Sequence, residues 1–311
     1  MKLRIGTRGS ALAMVQAREM RRRLQALGHD VEINEIKTSG DKDQRNAFVA
    51  VGAPGVFVRE IENALIAKRI DVAVHCYKDL PSIGPDELVT AAMPDREVQS
   101  DALFVRESAL VESAGFLPLA QNARVGSASA RRVALLRHER PDLQTGLLRG
   151  NVPTRLAKLV AGEHDAILLA SAGLRRLEAA AARGEVDAPV PAGVVELELD
   201  PTRFVPAPSQ GALALQVRAD DTAVREVIAQ LDQARDHDAV RAERKLLALV
   251  EAGCQVPFGA WCRHDANGEL KLFAALERDG SMRRAEARGT DPERIAREAF
   301  EALLPEEASS R

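Results

Sequence analysis

The sequence of 311 residues has few aromatic residues, few cysteines and no excess of basic charge. Aromatic residues make up 3% of the chain, which argues against stacking platforms for single-stranded nucleic acid. The formal net charge is −3, so general binding to nucleic acid or to a membrane surface is not expected. No apolar run approaches the roughly 18 residues that a membrane-spanning helix needs.

The cysteine pattern excludes two further classes of protein. Cys76, Cys254 and Cys262 are too few and too widely spaced for a disulfide framework. There is no Cys-x-x-Cys pair, and Cys262 with His264 alone supplies too few ligands, so no metal site is expected. The first residues lead directly into a strand-like pattern, without the apolar segment of a signal peptide. We therefore expect a cytoplasmic protein with free thiols.

The remaining composition, 46% hydrophobic and 29% charged, is typical of a globular protein of two or three domains. Over the first two-thirds, short strand-like runs alternate with amphipathic helices, which predicts doubly wound α/β sheets. Within this part we interpret 38–46 as a loop, 124–126 as a turn and 179–193 as an exposed connection. From about residue 220, two helices, three strands and a helix predict a separate α+β domain. No repeat of fixed period is found.

Three segments join a predicted strand to a predicted helix and combine hydroxyl or amide side chains with arginine: 7–10, 126–132 and 149–155. Helix N-termini favour anions, and guanidinium groups pair with carboxylate or phosphate. Ser, Thr and Asn there are also ordinary helix caps, and capping is the simpler interpretation of any one segment. Together the three segments favour a ligand with several carboxylates or phosphates. No nucleotide-binding motif is present.

Two other clusters contain side chains with catalytic chemistry. Lys78 and Asp79 follow a predicted buried strand, where a carboxylate can hold a cation or move a proton, although a solvated ion pair is the simpler alternative. Cys254 follows a helix that Gly253 ends and Pro257 prevents from continuing. Its thiol is therefore predicted on an accessible turn, and burial as a small hydrophobic residue fits about as well. Cys262 lies in a strand-like run and is predicted in the core.

These clusters resemble the porphobilinogen deaminase (hydroxymethylbilane synthase) family. The most specific matches are Leu-Arg-Gly-Asn-Val at 148–152 and Gly-Cys-Gln-Val-Pro at 253–257, in the order of the family. The matching stretches extend along the whole chain: 5–16, 52–65, 71–81, 126–132, 148–159, 165–177, 210–215 and 253–259.

The resemblance implies an α/β fold with two doubly wound lobes like those of type II periplasmic binding proteins, and a smaller C-terminal α+β domain. We expect domain 1 over residues 1–98 and 200–218, domain 2 over 101–197 and domain 3 over 220–311. It also implies a monomeric, cytoplasmic enzyme of tetrapyrrole and heme biosynthesis that binds neither nucleic acid nor a membrane. Gln210 is expected on the crossover that returns to domain 1.

The activity implied by the resemblance is that of a transferase. It condenses four porphobilinogen molecules head to tail, releases ammonia each time, and yields linear hydroxymethylbilane. Cys254 is expected to carry a dipyrromethane cofactor through a thioether, and Asp79 to stabilise the azafulvenium cation that forms as ammonia leaves.

The resemblance also implies which residues bind cofactor and substrate. The growing pyrrole chain carries acetate and propionate groups, which arginine-bearing helix N-termini suit. The expected cofactor-binding residues are Cys254, Arg131, Arg132, Ser129, Ser127, Lys78 and Asp79. The expected substrate-binding residues are Arg8, Ser10, Gln16, Arg149 and Arg155.

The sequence departs from the usual family pattern at three places. Cys76 stands where the family has Ser, Ala-Pro-Gly at 53–55 replaces Gly-Lys-Gly and loses a cation, and Ala128 loses a hydroxyl. These changes affect the expected details of carboxylate binding and leave the reaction intact. The competing class is a two-lobed anion-binding protein without catalysis, which needs neither Asp79 nor Cys254 and usually carries a secretion signal.

Overall fold

A computed structural model of the protein describes residues 1–37, 58–111, 113, 115–251 and 257–305. The loop predicted over 38–46, Pro54 and Cys254 therefore lie outside the described residues. Within the described ranges, no helix is long and apolar enough to cross a membrane.

The described residues form thirteen strands and eight α-helices. The strands are β1 (Lys2–Thr7), β2 (Asp30–Glu35), β3 (Val72–Cys76), β4 (Leu88–Ala92), β5 (Asp101–Arg106), β6 (Arg124–Gly126), β7 (Gln144–Gly146), β8 (Ala166–Ala170), β9 (Val194–Glu198), β10 (Leu213–Arg218), β11 (Phe258–His264), β12 (Leu270–Arg278) and β13 (Ser281–Gly289). The helices are α1 (Ala11–Ala26), α2 (Arg59–Ile66), α3 (Ala130–Glu139), α4 (Val152–Val160), α5 (Ser171–Ala182), α6 (Thr222–Ala229), α7 (His237–Glu251) and α8 (Pro292–Leu303).

The first compact unit, residues 1–97 and 211–237, contains a sheet of strand order β2-β1-β3-β10-β4. Strand β1 pairs parallel with β2 and β3, whereas β10 runs antiparallel to β3 and β4. Val72 and Val74 pack on one face with residues of α1 and α6, and Ala73 packs on the other face with residues of α2. Because alternate residues of a strand point to opposite faces, helices cover both sides of this sheet. This is the doubly wound arrangement predicted from the sequence.

The second unit, residues 98–210 and 238 onward, contains a sheet of order β7-β6-β8-β5-β9. Here β6 is parallel to β7 and β8, and β5 is antiparallel to β8 and β9, which repeats the pairing of the first sheet. Leu135 of α3 lies in the core on one face, and Leu156 of α4 and Leu174 of α5 lie in the core on the other. The fold class expected from the sequence is therefore confirmed.

The second unit also contains the antiparallel sheet β11-β12-β13. Helices α7 and α8 cover one face of this sheet. On the other face, Trp261 and Phe273 stack with ring centroids 5.4 Å apart and join the core that contains α3. This shared core explains why the C-terminal residues group with the second lobe.

Some elements differ from the sequence interpretation. Residues 124–126 form strand β6 instead of a turn, because three residues are too few to show alternation. Helix α5 continues to Ala182, so it includes the first residues of the segment 179–193 that we interpreted as a connection. Strand β9 begins directly after that segment, at Val194. Helix α6 was expected to open domain 3, yet its Val224 and Ile228 pack against the first sheet. The division into three domains stays a prediction.

The chain segment before β10 lies tightly against β11. Ala260 N donates a hydrogen bond to the carbonyl of Pro206 at 3.0 Å. A Cβ atom on Gly259 would lie 2.6 Å from the Val205 oxygen and 2.9 Å from the Pro206 oxygen. Only glycine therefore allows this close approach of two backbones.

We predict that Gly259→Ala destabilises the protein by about 1–3 kcal/mol, since the new methyl group meets backbone oxygens that cannot rotate away. Urea unfolding at neutral pH measures the loss. Gly84→Ala is the matched control, because a Cβ there meets no atom within 4 Å. Equal effects of the two substitutions would contradict the packing argument.

Candidate functional site

Asp79 lies just beyond the carboxyl end of β3, on a single 3₁₀ turn over Tyr77–Asp79. The turn is anchored because Tyr77 N donates to the Ala212 carbonyl at 3.0 Å and Leu80 is buried against Val58. Asp79 is exposed and forms no ion pair with any residue in the described ranges. The salt bridge with Lys78 that the sequence left open is therefore not formed there, and the carboxylate faces solvent.

Helix α1 starts beside β1 and presents the other predicted site residues of the first unit. Ser10 caps this helix, since its hydroxyl accepts a hydrogen bond from Ala13 N at 3.4 Å. Arg8 is half-buried. Gln16 is only 3% exposed, and its Nε2 lies 3.4 Å from the Cys76 sulfur. The amide of Gln16 thus contacts the cysteine that replaces the serine of the family.

His75 is buried on β3, two residues before the turn that carries Asp79. Burial lowers the pKa of His75 to about 4, and a hydrogen bond with Gln216 opposes this only in part. Gln216 in turn donates to Glu62 at 3.0 Å. His75 is therefore neutral at pH 7. Together with Gln216 and Glu62 it forms a buried polar group.

In the second unit, Arg131 and Arg132 both pair with Asp101, whose side chain is fully buried. Arg132 donates Nε and Nη2 to Asp101 Oδ1 at 3.1 and 2.7 Å, and Arg131 Nη1 lies 2.8 Å from Oδ2. Gln210 Nε2 donates to the same Oδ1 at 3.0 Å. Burial alone would raise the pKa of Asp101, but the two guanidinium groups hold it well below its ordinary value.

This cluster carries more positive than negative charge. Two buried guanidinium groups face one carboxylate, which leaves one positive charge in excess. Arg155 adds another, because no carboxylate in the described part of the chain pairs with it. Burial, and then the nearby charge of Arg132, lowers the pKa of Arg155. A positive cluster in a partly buried place is suited to bind a ligand with carboxylates.

The three strand-to-helix segments all cap their helices, so the capping interpretation is confirmed. Ser129 accepts from Arg132 N at 3.4 Å at the start of α3, and Ser127 accepts from Ser129 N at 3.2 Å. Asn151 accepts from Thr154 N at 2.9 Å at the start of α4. Capping uses the side chains of Ser10, Ser129 and Asn151 and not those of the neighbouring arginines. The prediction that these segments bind anions therefore stays open.

Of Cys254 and Cys262, only Cys262 lies within the described residues. Cys262 is buried in the core, as predicted from its strand-like surroundings. Cys254 lies outside the described residues, so its role as the cofactor anchor stays a prediction. Among the described residues, no group of His, Cys, Asp and Glu side chains could hold a metal ion.

Sequence reasoning missed the role of Asp101 and identified Gln210 only as part of a crossover. A signal was available: Asp101 begins the apolar run Ala-Leu-Phe-Val at 102–105, and a charged residue inside such a strand needs buried partners. The sequence also offered Arg131 and Arg132 as ligand-binding residues without showing that they have a protein partner.

We predict that Asp101→Asn lowers the free energy of unfolding by about 3–5 kcal/mol, because it leaves two buried guanidinium groups without a counter-charge. Urea unfolding at pH 7 measures this. Asp142→Asn is the matched control, since Asp142 pairs with Arg140 at 2.7 Å in a partly exposed place and its free energy of unfolding should fall much less. Comparable losses in both variants would show that the buried cluster contributes no more than a partly exposed pair.

Comparisons with known proteins cover nearly the whole chain. The family model described as "Porphobilinogen deaminase, dipyromethane cofactor binding domain" matches residues 3–226, and that described as "Porphobilinogen deaminase, C-terminal domain" matches residues 238–305. The porphobilinogen deaminase of Syntrophobacter fumaroxidans is 42% identical over 272 residues, which cover 87% of this chain and 82% of the relative. That of a Bacillus cereus strain is 40% identical over 311 residues, covering 99% of this chain and 96% of the relative.

Among solved structures, an ancestral cationic amino acid solute binding protein aligns with 78% of this chain and 94% of its own, with 13% identity and a TM-score of 0.44. That score is too low to bear on the fold, which the strand order of the two sheets establishes directly.

Proposed function

The chain belongs to the porphobilinogen deaminase family, and from this premise we propose that it condenses four porphobilinogen molecules head to tail into linear hydroxymethylbilane. Such a reaction makes it a transferase of tetrapyrrole and heme biosynthesis that releases one ammonia at each condensation. We further propose that it acts as a monomer in the cytoplasm and binds neither nucleic acid nor a membrane.

The observation that carries the proposal is the excess of positive charge in the second unit. Arg131 and Arg132 share one carboxylate, and Arg155 is half-buried without an acidic partner in the described ranges. Every pyrrole of the substrate and product carries an acetate and a propionate. These carboxylates supply the counter-charges that the cluster lacks, and guanidinium groups bind them with defined geometry.

The same charge excess fits a dipyrromethane cofactor, which also bears acetate and propionate groups. When bound, this group supplies the free pyrrole carbon to which the first porphobilinogen is joined. We propose that Arg131, Arg132, Ser127 and Ser129 hold its carboxylates and that Lys78 and Asp79 also contact it. Cys254 would carry it through a thioether.

Substrate carboxylates need partners of their own. We propose that Arg8, Arg149 and Arg155 bind them, and that Ser10, which caps α1, and Gln16, in the second turn of α1, complete this part of the site. The contact of Gln16 with Cys76 means that the cysteine also affects how this amide is presented.

Asp79 is the proposed catalytic residue. When ammonia leaves porphobilinogen, the carbon–nitrogen bond breaks and positive charge develops on the pyrrole that remains. An exposed carboxylate without an ion-pair partner in the described ranges is available to accept a hydrogen bond from the pyrrole N–H and to stabilise the positive charge. Lys78, which is half-buried beside it, is proposed to contribute to the same site.

We predict that Asp79→Asn folds and carries its cofactor but turns over at least about a hundredfold more slowly, because the amide keeps the shape and loses the charge. Single-turnover product formation measures the rate, and thermal melting checks the fold. Asp86→Asn, another exposed aspartate after β3, is the control and should keep its rate. Near-normal turnover of a folded, cofactor-loaded Asp79→Asn protein would remove Asp79 from the mechanism.

We also predict that Cys254→Ser abolishes the added dipyrromethane mass of the purified protein, as measured by intact mass spectrometry. Cys76→Ser, which restores the usual family residue, is the control and should keep the mass. Retention of the mass in Cys254→Ser would assign the anchor to another residue. A wild-type protein with neither added mass nor product would favour the alternative of a non-catalytic anion-binding protein.

A further inference from the structure

Ser209 adopts a backbone conformation that a serine rarely takes. Its φ angle is +61°, in the left-handed region, and the residue is fully buried. Its hydroxyl finds no hydrogen-bond partner among the described residues, so the side chain does not stabilise the turn. Such a conformation persists only when the surroundings hold it.

The group that holds this turn is the carboxylate of Glu243 on α7, which is fully buried. Glu243 Oε2 accepts a hydrogen bond from Ser209 N at 2.7 Å, and Oε1 accepts one from Cys262 N on β11 at 2.6 Å. Both bonds are short, and in each a backbone N–H donates to a side-chain oxygen of Glu243. One side chain thus fixes the turn at 209 against the C-terminal sheet.

The residue after the turn reaches the arginine cluster. Gln210 donates Nε2 to the carbonyls of Gln99 and Ser100 at 2.7 and 3.1 Å and to Asp101 Oδ1 at 3.0 Å. The direction of this side chain depends on the backbone at Ser209, since a change of φ there would turn the following residue away. Asp101 is the carboxylate that orients both Arg131 and Arg132.

We propose that Glu243 is a positioning residue for cofactor and substrate binding: it holds Ser209 left-handed, so that Gln210 and Asp101 aim Arg131 and Arg132 at ligand carboxylates. This inference rests on the proposed function, which makes those arginines ligand-binding residues. Glu243 has no part in the chemical step. Its loss should therefore affect cofactor loading and the Michaelis constant more than kcat.

The test exploits the difference between serine and glycine at a positive φ. Glu243→Gln can accept only one of the two N–H bonds, because its Nε2 is a donor that would face a second donor. Purified Glu243→Gln should show a smaller fraction of chains with the dipyrromethane mass. The loaded fraction should have a KM for porphobilinogen raised roughly two- to tenfold, the worth of about one hydrogen bond, with kcat nearly unchanged.

Glycine adopts φ +61° without strain, so Ser209→Gly should make the turn independent of Glu243. The double variant Glu243→Gln/Ser209→Gly is therefore expected to regain loading and KM, and Ser209→Gly alone should match the wild type. Amide hydrogen exchange of the peptide containing 209–210, followed by mass spectrometry, should be faster in Glu243→Gln and slow again in the double variant.

A merely structural role for Glu243 would lower the melting temperature without the KM effect, and Ser209→Gly would not rescue it; either result overturns the inference. If Glu243→Gln does not fold, Gln210→Met decides, because it breaks the link to Asp101 directly. Wild-type loading and KM in folded Gln210→Met would overturn the inference while leaving the proposed function intact. Wild-type protein without cofactor mass would overturn the proposed function, and the inference with it.

Discussion

The buried carboxylate of Asp101 is the constraint on which the second unit depends. Placing a charged group in a core is costly unless it is paired and hydrogen-bonded. Asp101 meets this condition by binding Arg131 and Arg132 at the start of α3 and Gln210 on the segment before β10. Arg131 extends the link by donating to the Val205 carbonyl at 2.8 Å. A strand, a helix and a crossing segment thereby meet at one residue.

The same constraint connects stability with ligand binding. One carboxylate does not balance two guanidinium groups, and Arg155 increases the imbalance. A ligand that supplies carboxylates would relieve the imbalance, so we expect the proposed binding of the cofactor by these arginines to stabilise the folded protein. Exposed Asp79 is different, because it is fixed by its backbone turn and by buried Leu80, and its charge is left available. The buried carboxylate of Asp101 is thus paired, whereas the exposed carboxylate of Asp79, the proposed catalytic residue, has no ion-pair partner in the described ranges.

The two lobes share an ionic arrangement that no fixed period in the sequence reveals. In each lobe an aspartate directly precedes the central strand, which is β3 in the first lobe and β8 in the second. It accepts a hydrogen bond from the backbone N–H of an arginine on the neighbouring parallel strand, β1 or β6. It also pairs with an arginine at the end of the neighbouring antiparallel strand, β10 or β5. The residues in the first lobe are Asp71, Arg4 and Arg218, and those in the second are Asp165, Arg124 and Arg106. Along the chain, β10 follows β1 and β3, whereas β5 precedes β6 and β8. Because the order of the three strands differs between the lobes, the shared arrangement produces no repeat of fixed spacing in the sequence.

The sequence by itself determined the α/β class, most of the helices and longer strands, the core position of Cys262 and three capped helix starts, because these depend on local periodicity and capping chemistry. It also identified the residues that the family resemblance assigns to the site. Only the tertiary structure decided that Arg131 and Arg132 share Asp101, that Gln16 contacts Cys76, and that Glu243 holds Ser209. These contacts join residues 31 positions apart for Arg132 and Asp101, 34 for Glu243 and Ser209, and 60 for Gln16 and Cys76. No local pattern encodes such pairs, since what selects them is the need of each buried polar group for a partner that the fold brings near.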